Sequence, residues 1–279
     1  MRLTAVFATL SLLAAPALAA ESLPSSKLSH IHGLAFDRAD PSRLLIATHH
    51  GLWRLEPDGM AAPVSETRDD FMGFTPHPTQ STILFASGHP AKGGNLGFQV
   101  STDGGVSWTK VADGVDGPVD FHAMDVSKAD PNVVYGLHGG IQVSRDGGKT
   151  WTVAGPAPAG TLDLAAGAKS PDIVYAATQT GLLVSKDAGR SWQPAHILKR
   201  PVSTVDIDAD GTVRAYMLGT GLIAAPEGSA GWATLGQVPG DDFLLHFTAG
   251  PQGRFAATSR SGAIVVSGDG GKTWAAVAK

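Results

Sequence analysis

Histidine and methionine are the side chains here whose types and grouping could do chemistry. The chain has 279 residues, with ten histidines, five methionines and no cysteine. Imidazole nitrogen binds copper and zinc, and thioether sulfur favours the cuprous ion. His30 with His32, His49 with His50, and His122 with His138 form three spaced pairs, with His89, Met72 and Met124 as further candidates. No spacing matches a His-Glu-x-x-His zinc motif, so a metal site depends on the fold gathering these residues. The plainer alternative is that the imidazoles satisfy hydrogen bonds at half-buried positions. The lack of cysteine excludes disulfides, thiolate metal sites, a cysteine nucleophile and a lipidated cysteine anchor.

The elements that must position these residues are repeats. Residues 144–151 read Ser-Arg-Asp-Gly-Gly-Lys-Thr-Trp, and the pattern Ser-x-Asp-x-Gly-x-Ser/Thr-Trp recurs at residues 101–108, 185–192 and 267–274. Each copy ends one β-like run and begins another, as a hairpin turn does. Asp accepts hydrogen bonds from turn amides, Gly takes a backbone angle other residues resist, and Trp anchors the return strand. Six repeats of about forty residues begin near His30, Asp70, Asp120, Thr161, Val202 and Asp242, the fifth with a decayed turn at residues 227–232. Tyr135, Tyr175 and Tyr216 are placed at one recurring strand step. Each repeat has room for four short strands, which predicts an all-β, six-bladed β-propeller whose repeated turns join strands C and D. The ring would close by blade contact, or by residues 21–28 adding to the last sheet.

These turns resemble the BNR repeat, or Asp-box, of β-propeller proteins that include sialidases and sortilin-like receptors. The resemblance implies a structural turn remote from the ligand site, and it raises an exo-sialidase-like glycoside hydrolase as one function. That mechanism needs three arginines for a carboxylate, a tyrosine nucleophile paired with glutamate, and an acidic proton donor. Here Arg38 and Arg43 fall in an A–B turn, Arg145 and Arg190 lie inside boxes, and no glutamate accompanies a tyrosine. Asp120 and Asp163 could share a cavity, but Asp70 and Asp120 read better as caps of strand starts. There is no Gly-x-Ser-x-Gly elbow, and the Gly-Gly-Lys-Thr runs inside two boxes lack the upstream glycine of a phosphate loop. The residues therefore favour a non-catalytic propeller that binds a ligand or metal or scaffolds an assembly, with the hydrolase as the alternative.

Strand alternation places A–B and C–D turns on one rim of such a disc, and B–C loops with strand A starts on the other. His30, His32, Met72 and His122 then fall at inner-strand starts, and His49, His50, His89 and His138 at or near B–C loops. Together with Met124 they predict a one-sided metal site on blades one to three, copper before zinc. His77 falls on the box rim, His196 in a D–A connection, and His246 out of register with His32. The glycine-rich residues 92–97 could cover the mouth or contact a partner.

Residues 1–19 have one positive charge, a short apolar run and an Ala17-Leu18-Ala19 end, the pattern of a secretory leader cleaved after Ala19. Residues 20–279 are then one propeller domain, secreted or periplasmic, with no membrane span in the mature chain. A formal charge of -4 without a basic run excludes nucleic acid as a natural partner. The remaining partners are a small ligand, a metal or another exported protein.

Overall fold

The computed structural model describes residues 22–277, so the expected leader lies outside the described residues. Six antiparallel sheets follow one another along the chain. Their inner strands are Ile31–Phe36, Asp70–Pro76, Met124–Val126, Thr161–Ala166, Val202–Ile207 and Leu244–Ala249. In every sheet, strands A to D run in chain order from centre to edge. This is the all-β, six-bladed propeller expected from the repeats.

No blade buries both faces alone. Six apolar clusters form, and each combines two neighbouring blades. Leu34, Ile46 and Trp53 of the first blade pack with Ala256 and Ile264 of the last, which closes the ring by blade contact. The first sheet has a fifth strand, Leu23–Pro24, paired outside the D strand Met60–Pro63. The expected addition of this segment to the last sheet does not occur. It covers the open edge of its own blade.

The repeated turns lie at C–D as expected, and one hydrogen-bond pattern recurs. Asp146 accepts from the Thr150 amide at 2.9 Å and hydroxyl at 2.6 Å, while Gly148 N–H donates to Ser144 Oγ at 2.8 Å. The Trp151 indole donates to the Gly148 carbonyl at 2.9 Å. Gly148 has φ 86°, and a Cβ there would come within 2.0 Å of Phe98 Cε1 in the preceding blade. The box thus fixes its own hairpin and its fit against the preceding blade. In the decayed fifth turn, buried Glu227 reaches across to accept from the Ala168 and Lys169 amides at 2.9 and 3.0 Å.

Tyr135 and Tyr175 share a strand step, but Tyr216 does not. Tyr175 pairs with Ala165 on strand A, whereas Tyr216 pairs with Thr204, two steps nearer the opposite rim. Arg214 takes the equivalent step and lies over the Phe255 ring at 5.0 Å.

Candidate metal centre

Five inner strands carry a register shift near their start. It falls between Ile31 and Gly33, Phe71 and Phe74, Thr161 and Asp163, Val202 and Thr204, and Leu244 and His246. A bulge of this kind leaves an extra residue unpaired and re-aims side chains. His32 occupies it in blade one and Met72 in blade two. Both line a central cavity of about 200 Å³, together with His122, Met124 and His246. The fold therefore gathers at one mouth residues spread over most of the chain.

Two triads stand there. In the first, His32 Nε2 lies 3.5 Å from Asp70 Oδ1 and His49 Nε2 lies 3.6 Å from Asp70 Oδ2. The His49 ring centroid is 4.6 Å from that of His32 and 4.5 Å from that of His30, whose backbone takes the left-handed φ of 52°. Both His32 Nε2 and Asp70 Oδ1 are buried without a hydrogen-bond partner among the described residues. Burial, reinforced by His49, His30 and His122 and opposed by Asp70, lowers the His32 pKa to about 4. Its ring is neutral near pH 7, the form that binds metal.

In the second triad, buried Asp120 Oδ2 lies 2.9 Å from His89 Nε2 and 2.6 Å from His122 Nε2. His89 donates its Nδ1 proton to the Gly94 carbonyl at 2.9 Å, and that bond, ahead of Asp120 and Asp70, raises its pKa. His138 donates its Nδ1 proton to the Asp120 carbonyl at 3.2 Å. Such backbone bonds fix the tautomer and leave Nε2 for a ligand. In each triad three donor atoms lie within 4.8 Å of one another, close enough to hold a metal ion.

Of the nine residues expected at this site, His32, His49, His89 and His122 supply triad donors. His30 and His138 flank the triads, and Met72 and Met124 line the cavity. His50 is exposed and stands in neither triad, and its carbonyl accepts the Trp53 indole proton at 3.2 Å. Asp70 and Asp120 are not simple strand caps, because each is the carboxylate at the centre of a triad. His246 is out of register with His32 as expected, since Leu245 takes the bulge in blade six and His246 pairs with Thr258, but it still borders the central cavity. Burial first, and then the His32 charge, lowers its pKa to about 4. His77 stays in its A–B turn, accepting from the Thr79 and Gln80 amides.

Deeper in the cavity two of the carboxylates belong to the scaffold. Asp163 accepts from Thr204 Oγ1 at 2.8 Å and from the Val205 amide at 3.0 Å in the next blade. Asp125 accepts from Thr75 at 3.0 Å and Ala166 N–H at 2.8 Å, and also meets Lys128. Burial raises Asp163 to about 7 and Asp206 to about 6. Asp163 and Asp125 are thus engaged between blades, while Asp206 lines the same cavity.

The fold and its turns define a BNR/Asp-box β-propeller. The BNR/Asp-box repeat family matches residues 99–110 and 142–153. No curated protein matches the chain by sequence. A GH74 enzyme from Niastella koreensis is similar at 15% identity over 89% of this chain and 45% of its own, TM-score 0.62. YCF48 bound to a D1 peptide is similar at 16% identity over 95% and 86%, TM-score 0.57. A gluconolactonase from Xanthomonas campestris is similar at 12% identity over 85% and 86%, TM-score 0.64. The chain spans 35% of another GH74 enzyme's length. At these identities the likeness is one of fold, which enzymes and YCF48 share, so fold does not decide catalysis. Among the described residues no helix is long and apolar enough to cross a membrane.

Proposed function

We propose that this protein is an exported, non-catalytic propeller that holds a transition-metal ion at the mouth of its central cavity. The observation that carries this is the His32, His49 and Asp70 triad. Its donors are 3.5 and 3.6 Å apart, and two buried donor atoms lack other partners. A tetrahedral ion with bonds of about 2.0–2.1 Å separates its donors by about 3.3 Å, close to that spacing and too long for good hydrogen bonds. Two imidazoles and a carboxylate suit cupric and zinc ions, and the affinity order puts cupric first. Met72 lines the same cavity, while Met124 packs in the apolar cluster between blades two and three. Export rests on the leader-like residues 1–19, with cleavage after Ala19 into a secreted or periplasmic domain of residues 20–279.

The test is titration of metal-free protein with cupric and zinc ions separately and in competition, beside element analysis of protein from its native compartment. Wild-type protein is expected to bind copper more tightly than zinc, and His32→Ala/His49→Ala to lose that ion. Unchanged stoichiometry in the double variant would remove this site. Turnover of sialosides, lost on replacing an acidic residue of the cavity, would restore the hydrolase.

A further inference from the structure

We infer that the His89, Asp120 and His122 triad takes a second metal ion, so that the mouth holds two ions side by side. This rests on the metal-binding reading above, but on different residues. His89 donates its Nδ1 proton to Gly94, so Nε2 is the nitrogen left to serve as a ligand, and it faces a carboxylate oxygen at 2.9 Å. His122 Nε2 meets the same oxygen at 2.6 Å. Hydrogen bonds from the rings to the carboxylate span these separations, and the same three donor atoms lie close enough together to hold a metal ion in their place. The other oxygen, Asp120 Oδ1, is buried without a partner among the described residues.

The separations here are those of proton-bridged pairs, so a metal ion must spread the donors to about 3.3 Å. His122 can yield, because its side chain is 62% exposed. The two centres adjoin: Asp70 of the first triad and His89 of the second are direct register partners in blade two. Two dications so placed repel, which gives two unequal binding steps. The first-triad ion enters first, since its donors already stand at metal spacing, whereas the second must break the two ring-to-carboxylate hydrogen bonds.

Calorimetric titration of the full protein with zinc, repeated with cupric ion and checked by element analysis, tests this. His49→Ala and His122→Ala are the variants, both at exposed side chains whose truncation leaves the core intact, with circular dichroism to confirm folding. Two ions per chain are expected in wild type, one in each single variant and none in the double variant. One ion in wild type, kept by His122→Ala and lost by His49→Ala, overturns the second site and leaves the proposed function standing. One ion lost in both single variants means a single shared site and also overturns the inference. No ion at all overturns both readings.

Discussion

The aspartates of the two rims differ in how completely their oxygens are satisfied. On the box rim, Asp146 accepts from the Lys149 and Thr150 amides and from the Ser144 and Thr150 hydroxyls, and Asp103, Asp187 and Asp269 accept from equivalent groups. On the opposite rim, Asp70 and Asp120 are each held among imidazoles with one buried oxygen unpartnered. A carboxylate whose acceptor sites are all engaged by its own turn is structural, whereas a buried one with a bare oxygen is costly unless something else binds it. The same residue type therefore builds the scaffold on one side and a candidate ligand site on the other.

Asp70→Asn should break this contrast most sharply. Ion affinity at the first triad is expected to fall by about 1000-fold, about 4 kcal/mol, measured by calorimetry. The metal-free protein should lose no thermal stability, because the change removes a buried charge lacking full compensation. A large fall in Tm would place Asp70 with the structural aspartates. Gly148→Ala on the other rim should do the reverse. Its methyl would enter the Phe98 ring from a left-handed backbone, for a loss of about 3 kcal/mol with metal stoichiometry unchanged. Denaturant midpoints would show it.

Within the scaffold, the box aspartates and the buried Asp163 should also give pH slopes of opposite sign. Hydroxyl hydrogen bonds, from Ser107, Thr150, Ser191 and Thr273, lead in holding Asp103, Asp146, Asp187 and Asp269 at about 2, below the ordinary 3.8. Their contribution is full above 3.8 and lost as pH falls through about 2. Burial, helped by Asp125 and opposed by bonds to Val205, Thr204 and Leu164, holds Asp163 up at about 7. The folded form then binds more protons than the unfolded one, so its contribution is full below 3.8 and lost as pH rises through about 7. Asp163→Asn is expected to flatten stability between about pH 4 and 7, read from urea midpoints, and Asp146→Asn to weaken only the acid slope.

Much of the scaffold was legible because its signals are local and repeated. The Ser, Asp, Gly and Trp of each box declare their turn, and six such units in one chain need a ring to bury their faces. The rim that collects the histidines follows from strand alternation alone. What could not be read was the bulge in strand A, which depends on pairing geometry and is where His32 and Met72 stand at the central cavity. The centres of the triads were missed for a related reason. Asp70 and Asp120 resemble caps until the fold shows that imidazoles from other strands reach them. Tyr216 was misplaced because a strand step is set by pairing with strand A, and sequence spacing hides that register.

The smallest expected effect lies in the loop that joins the rims' two roles, residues 90–97 after His89. Ala91 N–H donates to Asp69 at 3.1 Å, Asn95 to the Pro118 carbonyl at 2.9 Å, and Gly94 accepts from His89. The loop is therefore tied to the ring that would hold the second ion, without supplying a donor itself. Fixing His89 on a metal should strengthen the Gly94 bond and slow amide exchange across the loop by up to about tenfold. Box amides, already bonded to their own aspartates, should not change. If the slowing appears in wild type and persists in His122→Ala, the loop answers to the first ion, and the two triads are less independent than their separate ligands imply.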